Sequence, residues 1–422
     1  MGLYLPYITS SRKEKTKIDA IVSNGLKIDG LVIDIRRLFG NMFSRTVDIV
    51  KKVWSSNPNA IVIIDPRTDA FQVDTSTREK ISSLQKIYSL AGLTEQDIKD
   101  DSKFTASAIE NMLDKLISNI YSLIKKISYK DLNDALHELS YFIPPYFVSN
   151  SYNDEWYALT KTAIQRSIDM IKDMKILAPI AISETFLKNE NNIKQLINDY
   201  KEFDVDGYII LPFDVNDTAA SRTVLENLAR LALALKKLGK FVIVAIAEFG
   251  NVLVSLGIDA LTFGICSHKA PYPPRVFEKG IAEIARTETQ LYIPSIFRKL
   301  HAEKVIKLLE LIPSAYQCSC PICSHYEGSY MDLLEEAGYT DFSVHYMFWK
   351  KQEIKRYSNN PDLLLKDLEN AGQLIQQYNE QVGEEYFYIE EARYRYAIDK
   401  SYIDKWSNIL STLSQSDSAS EK

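Results

Sequence analysis

The sequence lacks the features that mark membrane and secreted proteins. Its 422 residues contain no stretch of about 18 uninterrupted apolar residues, and Met1–Ser10 shows no charged segment followed by a long apolar run. Four cysteines, three of them clustered, do not fit a disulfide framework. The net charge of −6, with 25% charged and 46% hydrophobic residues, is ordinary for a globular chain and excludes the fibrous and disordered classes. We therefore predict a cytoplasmic protein that does not contact a membrane.

Short runs of apolar, β-branched or aromatic residues recur along the chain and predict eight strands. They are Leu3–Ile8, Gly30–Ile35, Ala60–Ile64, Tyr141–Phe147, Ile176–Ile182, Gly207–Leu211, Phe241–Ala247 and Ala260–Cys266. Segments with helical periodicity, such as Tyr157–Met174 and Ala219–Leu238, separate most of them. This alternation of buried strands and helices predicts an α/β fold, a (β/α)8 TIM barrel, with a doubly wound open sheet as the alternative.

The same patterns divide the chain into segments. Residues 1–300 are predicted to form the barrel, with a helical insertion over residues 77–130 after the third strand, where Ile109, Met112 and Leu116 follow a helical spacing. A metal-binding subdomain is predicted over residues 301–360 and C-terminal helices over residues 361–410. The polar tail over residues 411–422 is predicted to be disordered.

A Cys-x-Cys-x2-Cys cluster supplies three thiolates within six residues. Zinc takes thiolate and imidazole ligands in a tetrahedron, so a fourth ligand must come from elsewhere in the chain. His345 directly precedes a predicted helix over residues 346–357 that could hold its ring, whereas His325 lies only two residues beyond the last cysteine and would strain the tetrahedron. Such a closed site indicates a structural zinc ion; the alternative is a group of reduced thiols. The predicted ligands are Cys318, Cys320, Cys323 and His345.

This cluster with its later histidine resembles the zinc site of the tRNA-guanine transglycosylase superfamily, in which spaced aromatic residues also follow the cysteines, as Tyr326 and Tyr330 do here. Tyr4-Leu5-Pro6-Tyr7 is similar to the first strand of that family, and Phe71-Gln72-Val73 is similar to its Phe-Gln-Val after the third strand. Gly257-Ile258-Asp259 resembles a further landmark. The resemblance covers roughly residues 3–360.

The resemblance implies a pentosyltransferase that exchanges guanine for a 7-deazaguanine base, such as preQ0, within a polynucleotide. In that chemistry one carboxylate attacks the ribose anomeric carbon and another group moves protons during base exchange. Archaeal tRNA enzymes of the family carry RNA-binding modules after the barrel, whereas only short helices follow it here, so DNA is favoured over tRNA as the substrate. A homodimer is compatible with this interpretation.

Four carboxylates are candidates for the catalytic roles. Asp65 follows a predicted buried strand, and its alternative role is to cap the turn that begins at Pro66. Asp69 competes with it because the family's aspartate lies closer to Phe-Gln-Val. Alignment with the family places Thr262 where the nucleophilic aspartate is expected. The full set of candidates is Asp65, Asp69, Glu248 and Asp259.

Two groups of residues are predicted to contact the substrate. Phe71 and Gln72 belong to the family-like Phe-Gln-Val, and a basic cluster follows His345 among aromatic residues. A basic stripe of this kind is typical of phosphate contacts, although a solvated helix face explains it equally well. The cluster consists of Lys350, Lys351, Lys355 and Arg356. Two functions therefore stay open: a base-exchange enzyme, or a catalytically inactive zinc-barrel subunit that binds nucleic acid or partners an active paralogue.

Overall fold

Eight parallel strands close into a barrel in the order β1 to β8, with β1 paired to β8. The computed structural model describes residues 2–8, 14–130, 141–264, 290–315, 318–326, 333–334 and 336–420. The strands are β1 Leu3–Ile8, β2 Gly30–Asp34, β3 Ile61–Asp65, β4 Tyr141–Phe142, β5 Lys175–Ser183, β6 Gly207–Phe213, β7 Phe241–Val244 and β8 Ala260–Gly264. The predicted TIM barrel is confirmed and the open sheet is excluded. The last two residues predicted for β8, 265 and 266, and Tyr330 lie outside the described residues.

Helices surround the barrel. They are α1 Glu14–Ser23, α2 Met42–Ser56, α3 Thr75–Lys80, α4 Ser82–Ala91, α5 Ala106–Asn111, α6 Leu113–Lys130, α7 Glu155–Met170, α8 Glu184–Leu187, α9 Glu190–Tyr200, α10 Arg222–Lys236, α11 Gly250–Ser255, α12 Ala302–Leu311, α13 Tyr339–Tyr357, α14 Pro361–Glu385, α15 Glu390–Tyr396 and α16 Ser401–Ser420. The helices α3 to α6 lie between β3 and β4 and form the helical insertion that the sequence predicts over residues 77–130.

Alternation along the strands separates two apolar cores. Leu5, Val32, Ile63 and Ile209 point into the barrel, where they pack together. Their chain neighbours, such as Ile64, face the helices and belong to a larger core. Because side chains alternate along a strand, the polar residues that end β2 and β3 also point into the barrel, at its carboxyl end.

The helix α13 occupies the position of the eighth barrel helix, in contact with α1, α11 and β1. Tyr346 in its first half packs edge-on against Phe263 of β8. Lys351 in its second half contacts Asp29, which directly precedes β2. The helix therefore runs antiparallel to the strands. Its second half lies at the amino end of the barrel, opposite the mouth, which is the end formed by the carboxyl ends of the strands.

The C-terminal part adds a hairpin and further helices. Two antiparallel strands, β9 Gln290–Ile293 and β10 Arg298–His301, precede α12. The last helix extends to Ser420, with Leu413 buried, where the sequence predicts a disordered tail from residue 411. Its apolar positions pack against α14 and α10, which the polar composition of the tail did not indicate. Within the part of the chain that the structure describes, no helix is both long and apolar enough to cross a bilayer.

Candidate functional site

The structure brings together the four residues predicted to bind a metal. The Sγ atoms of the three cysteines lie 3.4 to 3.6 Å from Nδ1 of His345, and the four ligand atoms all lie within 4.8 Å of one another. Cys320, Cys323 and His345 are buried. His325 is exposed and takes no part in the group, whereas His345 lies within it. The group could hold a metal ion.

Nearby N–H groups donate hydrogen bonds to the sulfur atoms of this group. The backbone N–H groups of Cys320 and Cys323 donate to the sulfur atoms of Cys318 and Cys320, at 3.4 and 3.3 Å. The indole of Trp349 donates to Cys318 Sγ at 3.1 Å. Hydrogen bonds from the adjacent thiols, helped by His345, lower the pKa of Cys318 against the opposing effect of burial. These contacts favour the thiolate form that binds metals.

A second contact orients the imidazole. Nε2 of His345 lies 2.8 Å from the carbonyl oxygen of Tyr292 in β9, which places the proton on Nε2 and leaves Nδ1 as the ligand atom. The histidine lies inside α13 and not ahead of a helix as predicted. The helix begins earlier because Asp341 accepts a hydrogen bond from the backbone N–H of Gly338 and caps it. The hairpin and α13 thus meet at the metal-binding group.

Asp65 lies at the carboxyl mouth of the barrel, as predicted, and is fully buried. The hydroxyls of Tyr7 and Tyr146 donate to its two oxygens, at 2.6 and 2.7 Å. Burial, followed by the charge of Asp65, raises the pKa of both tyrosines well above the ordinary value, so both stay protonated donors. The backbone N–H of Arg67 also donates to Asp65 at 3.0 Å, which is the turn-capping contact considered as its alternative role.

Asp34 is a second carboxylate at this mouth, which the sequence analysis missed. It ends β2, and its Cα is the direct neighbour of Asp65 across the β2–β3 pair. Arg36 donates to it through Nε at 2.9 and 3.0 Å. Burial alone would raise the pKa of Asp34, but Arg36 and then Arg67 outweigh it and hold the pKa below its usual value. The signal was present, because Asp34 directly follows the apolar run Leu31–Ile33, just as Asp65 follows Ile61–Ile64.

Arg67 connects the carboxylates of the mouth. Its guanidinium makes a two-pronged contact with Asp69, at 3.0 and 2.9 Å, and lies 3.7 Å from Asp34 and 3.9 Å from Asp65. Its backbone is left-handed, with φ of 50°, a conformation that costs a non-glycine residue energy and is concentrated at functional sites. Asp69 is therefore engaged by Arg67, and the mouth holds three buried aspartates around the buried Arg67.

The other predicted catalytic residues lie apart from this group. Asp259 precedes β8 at the amino end of the barrel, where it pairs with Lys236 at 2.6 Å and accepts the N–H of Val242 at 2.9 Å. Glu248 is buried beyond the end of β7 and faces α13. Thr262 points into the barrel from β8, and its buried hydroxyl has no hydrogen-bond partner within the described part of the chain. The structure thus does not bring Asp259 to the mouth.

Phe71 and Gln72 make contacts within and between the loops at the mouth. Phe71 is fully buried and packs edge-on against Tyr88 of the insertion. The side-chain amide of Gln72 donates to the carbonyl of Val148 at 2.9 Å and accepts its N–H at 2.6 Å. These contacts fix the loops after β3 and β4 to each other. In this structure neither side chain is presented to a substrate.

The basic cluster of α13 does not form one surface. Lys350 is fully buried and lies 2.6 Å from Glu248, 2.8 Å from Glu353 and 2.9 Å from the hydroxyl of Tyr292. The structure does not present Lys350 to phosphate as predicted, because the two carboxylates enclose its buried ammonium group. Although burial alone would lower the pKa of Lys350, Glu248 and Glu353 raise it, so the lysine stays charged.

The other three basic residues lie at the amino end of the barrel. Lys351 pairs with Asp29 at 3.0 Å and Arg356 pairs with Asp367 at 2.7 Å, whereas Lys355 is exposed. This end is opposite Asp65, so these three residues do not line the mouth. The sequence does not show which of two adjacent lysines lies on the buried face of a helix. For the same reason it does not identify Glu353 as the buried partner of Lys350.

Asp217 provides a pH-dependent contribution to stability. Burial and the nearby Glu248 raise the pKa of Asp217 to about 6, although the N–H groups of Glu248 and Phe249 donate to it. An unfolded aspartate titrates near pH 3.9, so between about pH 4 and 6 the folded state binds the extra proton and this group's contribution to stability falls as pH rises.

We therefore expect Asp217→Asn, which keeps an acceptor oxygen, to remove this loss. The free energy of unfolding of both proteins is measured by urea denaturation from pH 4 to 7. The difference between variant and wild type should shift in favour of the variant by up to roughly 3 kcal/mol as pH rises over this range. A difference between the two proteins that stays constant over this range would show that Asp217 does not titrate there.

Comparison with known proteins assigns no family. The sequence matches no protein-family model, and no curated protein is significantly similar to it.

Proposed function

We propose that this chain is a transglycosylase that exchanges guanine for a 7-deazaguanine base in a polynucleotide, with DNA favoured over tRNA, and that Asp65 is its catalytic carboxylate. The observation that carries the proposal is the pairing of Asp34 with Asp65 at the ends of adjacent strands, both directed into the mouth. Active sites of TIM barrels lie at this end. Exchange at an anomeric carbon needs a carboxylate beside a positively charged centre and a second group that moves a proton.

The surroundings of the two carboxylates suit these different tasks. Asp34 is held ionised by Arg36, so it can stabilise positive charge on the sugar. Asp65 accepts hydrogen bonds from two neutral tyrosine hydroxyls, which a substrate can replace when it enters the mouth. Asp65 is thus the better candidate for contact with the reacting base or sugar, with Arg67 and Asp69 fixing the loop behind it.

We propose zinc as the metal of the Cys318, Cys320, Cys323 and His345 group. With zinc bonds of about 2.3 Å to sulfur and about 2.0 Å to nitrogen, a tetrahedron places sulfur and nitrogen about 3.5 Å apart. The separations of 3.4 to 3.6 Å from His345 Nδ1 fit this value. Four protein ligands leave no open position, so the ion would hold the hairpin and α13 together and take no part in the reaction.

The test of the enzymatic proposal is the incorporation of radiolabelled guanine, and separately of a labelled 7-deazaguanine base, into duplex DNA and into tRNA. Wild type should incorporate label into one of them. Asp65→Asn should lower the rate by roughly 10²- to 10⁴-fold, the usual contribution of a proton-transferring group. The control is Asp259→Asn at the opposite end of the barrel, which should keep the rate within a few-fold once folding is verified by circular dichroism.

A second function is favoured by Thr262, which occupies the position where the family resemblance expects a nucleophilic aspartate and whose buried hydroxyl has no hydrogen-bond partner among the described residues. It is a catalytically inactive zinc-barrel subunit that binds nucleic acid or partners an active paralogue. If wild type incorporates no base into DNA or tRNA, and Asp65→Asn binds nucleic acid as wild type does, the enzymatic proposal is wrong and this second function stands.

A further inference from the structure

Three consecutive apolar residues are exposed in the turn between α14 and α15. Phe387 is 66% exposed, Tyr388 94% and Ile389 56%. Among the described residues only Met170 and Leu238 are also large, apolar and exposed, and each of these stands alone. Single exposed apolar residues are common on protein surfaces, whereas a contiguous group marks a site of interaction.

The turn that carries these residues is firmly anchored. Tyr386, directly before them, stacks on Tyr396 of α15. The hydroxyl of Tyr378 donates to the carbonyl of Tyr396 at 3.0 Å. Asn379 exchanges two hydrogen bonds with the backbone of Ile398, at 2.8 and 2.9 Å. The three side chains are therefore presented to solvent by a braced pair of helices and not by a fraying end.

A groove of about 600 Å³ adjoins the turn along α14. Phe387 lines it together with Glu380, Gly383, Glu384 and Lys400. Because Gly383 has no side chain, the groove passes close to the helix backbone at that point. An extended segment of a partner can therefore lie beside the exposed aromatic residues.

The turn segment itself is acidic. Residues 380–391 contain five glutamates and no lysine or arginine. Glu385 is engaged by Lys307, at 2.5 Å, and Glu384, Glu390 and Glu391 are exposed. Arg395, farther along α15, pairs with Glu303. Phosphate groups of a polynucleotide or of an anionic membrane would be repelled by this surface, and so would the same surface of a second copy across a two-fold axis.

We propose that this acidic aromatic turn, Glu384–Glu391, docks a basic segment of another polypeptide that places an apolar side chain among Phe387, Tyr388 and Ile389. The acidic rim selects lysine or arginine, and the apolar centre supplies the buried contact. The proposal does not depend on the chemistry at the barrel mouth, which is a separate part of the molecule.

The test is to pan a phage-displayed library of random 12-residue peptides on the full-length wild-type chain. Enriched peptides should combine lysine or arginine with leucine, phenylalanine or tryptophan. The combined change Phe387→Ser, Tyr388→Ser and Ile389→Ser should weaken a selected peptide by at least roughly tenfold. The matched control, Met170→Ser with Leu238→Ser, should change the affinity by less than about twofold. All five positions are exposed, so folding is expected to be kept.

Charge is tested by the combined change Glu384→Gln, Glu390→Gln and Glu391→Gln, which should weaken the peptide and flatten the dependence of its affinity on salt. The proposal is overturned if no peptide is enriched on wild type over the triple serine variant, or if the enriched peptides are acidic or lack basic residues. It is also overturned if sedimentation shows a wild-type dimer that the triple serine variant loses, because the occupant would then be a second copy.

Discussion

Replacing Cys323 by serine is expected to remove the metal and much of the thermal stability. Cys323 is buried, and its sulfur lies 3.4 Å from His345 Nδ1, so a serine there cannot complete the group of ligands. Structural zinc contributes its binding free energy to folding. The effect should extend beyond the metal-binding subdomain, because α13 carries His345 and also serves as the eighth barrel helix.

Metal content by mass spectrometry should fall from about one ion per chain to near zero, and the midpoint of thermal unfolding should fall by roughly 10 °C, if about 5 kcal/mol is lost at about 2 °C per kcal/mol. His325→Ala is the matched control, since this exposed histidine lies two residues away and outside the group. A serine variant that keeps one ion, or an alanine variant that loses it, would contradict the assignment.

Lys350→Met is expected to cost about 3 to 5 kcal/mol in the free energy of unfolding, because it leaves Glu248 and Glu353 buried without their cation. Urea denaturation measures this loss. Lys355→Met, on the exposed side of the same helix, should change the free energy by less than about 0.5 kcal/mol.

A second variant separates charge from packing. Adding Glu248→Gln and Glu353→Gln to Lys350→Met removes the unpaired charges and should recover part of the lost stability. If Lys350→Met and Lys355→Met destabilise equally, or if the added glutamines lower stability further, the ammonium group is not the feature that stabilises this cluster.

The barrel could be predicted because parallel strands buried on both faces produce continuous apolar runs, such as Ala60–Ile64. The cysteine spacing also predicted that the three thiols lie together, because they fall within six residues of the sequence. His325 was too close to the last cysteine to join them. In both cases the information is local in the sequence.

The contacts that the sequence did not predict join distant segments. The pairing of Lys350 with Glu248 depends on which face of α13 meets the barrel, and α13 lies about one hundred residues from Glu248. The hydrogen bonds at the mouth also join distant segments. Asp65 was predicted from the end of its strand, but the hydroxyls of Tyr7 and Tyr146 come from other strands or loops. Only barrel closure brings them to one carboxylate.

X-ray absorption at the zinc edge, measured on the purified full-length chain, tests the metal centre most directly. We predict a first shell of three sulfur atoms at about 2.3 Å and one nitrogen at about 2.0 to 2.1 Å, with no water oxygen. In His345→Ala the nitrogen should disappear while the sulfur shell stays or the metal is lost altogether. A wild-type shell with fewer than three sulfurs, or a nitrogen that persists in the alanine variant, would contradict the assignment of Cys318, Cys320, Cys323 and His345 as the ligands.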